Sequence, residues 1–146
     1  MKFDLKPYEG AGPLRFSMSR EEVHGLLGLP NRSWSMRSGN IAESWPEVVI
    51  RYEKETQRII EMEFKSCAHV ECHDINLFED SDAFRKLVEL DGAALQGTGT
   101  VVLLRLGIST GDDLGDPTSS DRTVCLFEHG LWDSAIARLT PYASKR

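Results

Sequence analysis

The chain has 146 residues, of which 40% are hydrophobic and 27% are charged, and its formal net charge is −6 at pH 7. No apolar run approaches the roughly 20 residues that a membrane-spanning helix needs, and the N-terminus has no apolar signal-peptide core, so the sequence predicts a cytoplasmic protein. The length is typical of one domain that buries its own core. We expect a single domain over residues 1–146, with its core at about 12–137 and frayed ends.

Acidic residues are concentrated in the second half of the chain. Residues 1–73 carry 10 basic and 11 acidic side chains, whereas residues 74–146 carry 7 basic and 12 acidic ones. Binding of nucleic acid requires clustered Lys and Arg, so the sequence predicts no nucleic-acid partner. An acidic surface attracts basic proteins because opposite potentials steer their encounter, although acidity also keeps a protein soluble.

The first predicted helix, at about 20–27, has both of its ends specified by the sequence. Ser19 and Glu22 have the spacing of a capping box. Gly28 and Pro30 then end the helix.

Alternation of apolar and charged residues over 47–65 predicts an antiparallel hairpin with one face in the core. The residues expected on the core face are Val48, Ile50, Tyr52, Ile60, Met62 and Phe64.

A second predicted helix, at about 81–90, begins at Asp80 or Ser81 as its cap. A central strand, a polar loop and another strand follow at residues 100–109, 110–121 and 122–128. This order of helix, strands, helix and strands predicts an α+β fold. We expect two helices packed on one face of a curved antiparallel sheet, with a weak repeat of a helix followed by strands.

Potential metal ligands and nucleophiles are clustered at Cys67, His69, Cys72 and His73. Zinc sites usually divide their ligands into two pairs across a longer loop, and that spacing is missing here. A Cys–His nucleophile needs a convergent, activated thiolate, which nothing in the sequence specifies. The sequence therefore predicts no catalytic residue, metal or cofactor. A small metal- or thiol-dependent enzyme built on this cluster is the alternative, and a structural homodimeric module is another.

Weaker patterns favour ordinary structural roles. The glycines around Gln96 do not form a nucleotide fingerprint, because no strand is expected before them and no helix after them. The acids at 112–116 resemble a calcium loop without its regular spacing and closing Glu. Trp34, Trp45 and Trp132 are expected in the core or at its edge.

The stretch GPLRFSMSREEVHGLLGLP at residues 12–30 resembles a motif of small bacterial proteins, I-x-F-G-M-[ST]-x-x-E-V-x-x-x-L-G-x-P. One group with this motif has the fold of beta-lactamase-inhibitor proteins and small outer-membrane lipoproteins. Another group consists of cytoplasmic immunity proteins of polymorphic toxin systems. Their later segments are similar to LGIS at 106–109 and VCLFEHGLWD at 124–133, so the resemblance covers about 12–133. Ser17 occupies a position where Gly is common.

The resemblance to immunity proteins implies a protein that neutralises a cognate toxin by direct occlusion and is not an enzyme. We expect the toxin to present a basic contact surface, because the loop at 110–121 is long, acidic and without a basic residue. We expect mutual repulsion to extend this loop into solvent. The predicted partner-binding residues in the loop and at the start of the second helix are Asp112, Asp113, Asp116, Asp121, Glu79, Asp80 and Asp82. The strand face around Arg51, Glu61 and Glu63 is the next place expected to bind.

Overall fold

The structure, a computed structural model, describes residues 1–143. Strands account for 38% of the residues and helices for 14%, so the expected α+β class is confirmed. Along the chain the elements are β1 Lys2–Lys6, β2 Gly10–Ala11, β3 Leu14–Arg15, α1 Arg20–Leu27, β4 Arg32–Ser35, β5 Ile41–Ser44, β6 Val48–Tyr52, β7 Ile59–Lys65, β8 His69–Cys72, β9 Ile75–Asn76, α2 Ala83–Asp91, β10 Leu95–Gly97, β11 Thr100–Leu103, β12 Ile108–Thr110, β13 Thr123–Phe127, a 3-10 turn Ile136–Arg138 and β14 Thr140–Pro141.

The larger sheet has nine strands in the order β14-β10-β11-β12-β13-β7-β6-β5-β4. Every neighbouring pair in it is antiparallel. Apart from β14, the order is symmetric about the central pair of β7 and β13. On one side lie the four strands that follow α1, and on the other side lie the four strands that follow α2. The expected repeat is therefore present as two meanders, each of a helix and four strands.

A second sheet of five strands, in the order β3-β2-β1-β8-β9, was not expected. Its central strands β1 and β8 are parallel, so the expectation of one antiparallel sheet is wrong for this part of the chain. The sheet forms because β1 alternates perfectly between exposed and buried residues, with Phe3 and Leu5 in the core. Its pairing partner is more than 60 residues away along the chain, and no local pattern indicates such a partner.

The hairpin expected at 47–65 is present, but its register shifts between Arg51 and Tyr52. Tyr52 consequently pairs with Ile59, which is 1% exposed, and Ile60 is only half-buried. The expectation that Ile60 faces the core is therefore wrong. A bulge of this kind adds one residue to one strand and changes which face its side chains occupy.

The apolar run at 100–109 forms two strands, β11 and β12, joined by a tight turn, and not one central strand. Gly107 has a φ of 67° in this turn, a conformation that glycine adopts without steric cost. The N–H groups of Arg105 and Leu106 both donate to the buried carboxylate of Asp91 at the end of α2. These bonds satisfy two backbone N–H groups of a turn in which Leu106 and Gly107 are buried.

The two helices differ in how well their starts were predicted. α1 has the expected capping box, in which Ser19 and Glu22 each accept the other's backbone N–H. α2 begins at Ala83, two residues later than expected, with Asp82 as its N-cap and no capping bond from that side chain. Asp80 instead accepts the N–H of Asp82 at 2.8 Å in the preceding turn. The expected cap at Asp80 or Ser81 is therefore wrong.

The ends of the described chain also belong to the sheets. β1 contributes Phe3 to the core, and β14 pairs with β10. The remaining residues, 144–146, lie outside the described residues. Trp34 is 38% exposed on the edge strand β4, contrary to the expectation that it lies in or beside the core, whereas Trp45 is buried. Neither helix in the described part of the chain has the length and apolar character needed to cross a membrane.

Candidate protein-binding site

The acidic loop at 110–121 lies against the chain just before α2. A Cβ atom on Gly115 would lie 2.3 Å from the backbone oxygen of Ser81, so the two backbones are in close contact. Arg122 Nη1 also donates to the backbone oxygens of Phe78 and Leu114, both at 2.8 Å. The structure thereby brings together the two groups of acids that the sequence predicts for partner binding. We call residues 79–82 and 110–121 together the acidic face.

The loop folds back on the core and does not extend into solvent. Leu114 is fully buried, and two turn bonds shorten the loop, from Asp116 N to the oxygen of Asp113 and from Ser119 N to that of Asp116. Burial of one leucine side chain contributes about 1.5–3 kcal/mol, which exceeds the screened repulsion between exposed carboxylates. The expectation of an extended loop is therefore wrong.

Arg122 is turned inward at the end of the loop. Besides its two bonds from Nη1, its Nε donates to the oxygen of Ser119 at 3.2 Å, and its guanidinium lies 5.7 Å from the centre of the Phe78 ring. Its Nη1 and Nε donors are therefore bonded to backbone oxygens, and its charge lies against an aromatic ring. The cation stabilises the loop from inside while the loop carboxylates remain on the outside.

The carboxylates of the loop differ in the number of hydrogen bonds that they accept from neighbouring residues. Asp113 accepts the Ser119 hydroxyl at 2.6 Å. Asp116 accepts the hydroxyl and the N–H of Thr118 at 2.7 and 2.9 Å, and these bonds hold the pKa of Asp116 below its usual value. Asp112 and Asp121 are exposed and make no side-chain hydrogen bond or ion pair within residues 1–143.

At the start of α2, two of the three carboxylates have cationic neighbours on the same helix. Asp80 lies 2.5 Å from Lys86 and Asp82 lies 3.6 Å from Arg85. Glu79 accepts a weaker bond from the Asn76 amide at 3.4 Å. The negative charge of the acidic face is therefore least compensated at Glu79 and in the loop.

A cleft of about 310 Å³ borders the loop at Asp112. Its other sides are formed by the turn between β10 and β11 and by Tyr142. A strand does lead into the glycines at 97 and 99, contrary to expectation, but a second strand follows them. The pair of strands makes a two-residue hairpin turn, and the helix N-terminus that a nucleotide phosphate requires does not follow it.

The cysteines and histidines at 67–73 point in different directions. Cys67 is exposed, and His69 pairs with Glu71 at 2.6 Å on the outer side of β8. Cys72 is fully buried, and burial raises its pKa to about 11. His73 lies in the tight turn after β8 with a φ of 49°. Nowhere in residues 1–143 do three or more potential metal ligands converge.

Glu43 is, with Asp91, one of two buried carboxylates in residues 1–143, and sequence reasoning missed it. Its side chain is 1% exposed and lies 2.9 Å from both Arg20 Nη2 and His24 Nε2 on α1. Burial alone would raise the pKa of Glu43, but the hydrogen bonds with Arg20 and His24 outweigh it, so the pKa is lowered. The four-residue spacing of Arg20 and His24 on one helix face is the signal that would have indicated a shared anionic partner.

Comparison of the chain with protein-family models, with curated proteins and with solved structures finds no match.

Proposed function

We propose that the chain is an immunity protein that binds a cognate bacterial toxin in the cytoplasm and neutralises it by covering its surface, without catalysing a reaction. The observation that carries the proposal is the acidic face. Two segments about 30 residues apart in sequence pack together there, and the arginine between their backbones points inward.

The acidic face supports rapid recognition of a basic partner. Negative charges gathered on one surface raise the rate of encounter with a positively charged protein, and this effect weakens as the salt concentration rises. Leu114 and Arg122 hold the loop in place before binding. A loop that is already ordered loses less conformational entropy when a partner binds, which favours affinity.

The proposal includes the finer architecture expected from the sequence, with both helices on one face of a curved antiparallel sheet. Val23 of α1 and Leu87 of α2 support it, because both are fully buried in one hydrophobic cluster with Met62 at the centre of the larger sheet.

The first test is neutralisation. If the gene immediately upstream encodes a toxin, bacteria that express that toxin should survive when this chain is co-expressed, and the two purified proteins should form a complex. A neighbouring gene product that is harmless, or that kills cells equally well with and without this chain, would refute the proposal.

The second test removes three charges of the loop. The variant Asp112→Asn, Asp113→Asn and Asp116→Asn keeps an oxygen acceptor at each position, so its melting temperature should stay nearly unchanged. Its association with the toxin should be slower and less dependent on salt.

The matched control for this variant makes the same charge change at exposed acids outside the acidic face, Glu9→Gln, Glu21→Gln and Glu55→Gln. Association of the control should stay close to that of the wild type. Equal association rates for wild type, loop variant and control would place the interface elsewhere, and the strand face around Arg51 would be tested next.

A further inference from the structure

We infer that the cleft beside Asp112 receives one cationic side chain, an arginine or a lysine, from the partner protein. This inference rests on the proposed function, and it names the group on the partner that the acidic face recognises most closely.

The size and walls of the cleft fit a side chain. Its volume of about 310 Å³ lies at the lower limit of small-molecule sites. Val101, which is 4% exposed, is its apolar floor, and Tyr142 is one wall. The centre of the Tyr142 ring lies 5.5 Å from that of Phe84 on α2. The backbone N–H of Tyr142 donates to the backbone oxygen of Ala94 at 2.9 Å. The aromatic wall is thus fixed on both sides.

The polar lining of the cleft selects a cation. Asp112 is the only charged side chain among the described residues that line it. Gln96 and Thr100, which also line the cleft, add oxygen acceptors. A guanidinium or ammonium group can pair with the carboxylate and lie against the aromatic ring, while its alkyl chain packs on the apolar floor. An anion would be repelled by Asp112, and a neutral group would leave the carboxylate unpaired.

Asp112 and Asp121 are the loop carboxylates without a local bond in residues 1–143, and of these two Asp112 lines the cleft. Asp113 and Asp116 use their oxygens to accept bonds from Ser119 and Thr118. Asp112 makes no such bond within residues 1–143. The cleft is open on the side of Gly99, where an added Cβ atom would meet no heavy atom within 4 Å.

The direct test uses N-acetylarginine amide as the probe and N-acetylcitrulline amide as its neutral isostere. We expect the arginine compound to shift the NMR signals of the backbone amides of Gly97, Gly99 and Thr100 in the intact protein. The citrulline compound should bind much more weakly. Asp112→Asn should weaken binding of the arginine compound by about 10-fold or more, because it removes a charge-assisted bond. The matched control Asp116→Asn makes the same charge change outside the cleft, so it should bind the arginine compound as tightly as the wild type does.

Three results would overturn the inference: no shifts with the arginine compound, equal shifts with the citrulline compound, or equal weakening by Asp112→Asn and Asp116→Asn. Measurements with the toxin separate this failure from failure of the proposed function. If the cleft is used, Asp112→Asn speeds dissociation of the toxin, whereas Asp116→Asn changes mainly association. If the two variants slow association equally and leave dissociation unchanged, the cleft is not used but the acidic face still binds. If neither these variants nor the triple variant alters toxin binding, the acidic face is refuted as well.

Discussion

The buried carboxylate of Glu43 should be the main polar anchor of α1 on the larger sheet. Its Oε2 accepts bonds from Arg20 Nη2 at 2.9 Å and Nε at 3.3 Å, and its Oε1 lies 2.9 Å from His24 Nε2. Replacement by Gln keeps the size of the side chain and one acceptor oxygen, and it removes the charge. The variant Glu43→Gln therefore isolates the electrostatic part of this anchor.

The expected cost follows from these contacts. A hydrogen bond to a charged group contributes about 1.5–3 kcal/mol to stability, and a neutral one contributes about 0.5–1.5 kcal/mol. Arg20 and His24 keep 31% and 25% of their side-chain surface exposed, so water can partly replace the lost interaction. A loss of about 1 kcal/mol for each partner lowers the free energy of unfolding by about 2 kcal/mol, which corresponds to about 4–8 °C in Tm for a chain of this size.

The same carboxylate should make stability depend on pH on the acid side. The pKa of Glu43 in the folded protein lies below its ordinary value of 4.5. A group whose pKa is lowered by folding stabilises the folded state above its unfolded pKa, and this contribution is lost as the pH falls through the folded pKa. The stability difference between wild type and Glu43→Gln should therefore be full near neutral pH and shrink below about pH 4.5.

Denaturant unfolding followed by circular dichroism, at neutral pH and at several acidic pH values, measures both effects. The matched control is Glu55→Gln, at an exposed position, which should change stability by less than about 0.5 kcal/mol. Equal stability of Glu43→Gln and wild type at neutral pH would refute the anchor. A difference that stays constant down to acidic pH would refute its electrostatic origin.

Three smaller changes test other parts of the structure. A thiol reagent should modify the exposed Cys67 rapidly and the buried Cys72 only on unfolding. Cys125 should also react slowly, because burial raises its pKa. Rapid reaction of two thiols in the native protein would contradict the structure. Gly25→Ala, at an open helical position, should raise the free energy of unfolding by about 0.5–1 kcal/mol in thermal or denaturant melts. Gly115→Ala should lower it by about 1–3 kcal/mol, because the new methyl group would collide with a backbone oxygen before α2, and an unchanged melt would mean that the loop does not lie there.

The features that the sequence predicted well are local ones. The ends of α1 depend on Ser19, Glu22 and Gly28, which act within a few residues of one another. The hairpin of β6 and β7 depends on alternation within each strand. Both signals can be read without knowing any distant contact, because capping and period-2 patterning are properties of a short segment.

The features that were missed depend on contacts between distant residues. The turn inside the apolar run at 100–109 is stabilised by Asp91, which is 14 residues away from Arg105. The run around this turn is apolar except for Arg105, Gly107, Ser109 and the flanking threonines, so the turn lacks the cluster of polar residues that marks most turns. The cleft at Asp112 is similarly made by three separate segments, and Tyr142 reaches it only because β14 pairs with β10. Charge pattern therefore predicted which residues lie on the acidic face but not the cleft beside them.

The repeat offers support for the proposed binding role of the acidic face, because the connection that carries this face is longer than its counterpart. In the first meander β6 and β7 are joined by residues 53–58, and in the second the corresponding strands β12 and β13 are joined by residues 111–122. A connection as short as residues 53–58 is enough to reverse the chain, because the first meander does so with half as many residues as the second. The extra residues are held in place by Leu114 and Arg122, and they carry four aspartates, of which three are exposed. A connection that is longer than the fold requires, held by a buried leucine and carrying exposed carboxylates, supports the proposal that this surface binds a partner, since binding loops commonly sit on a rigid scaffold.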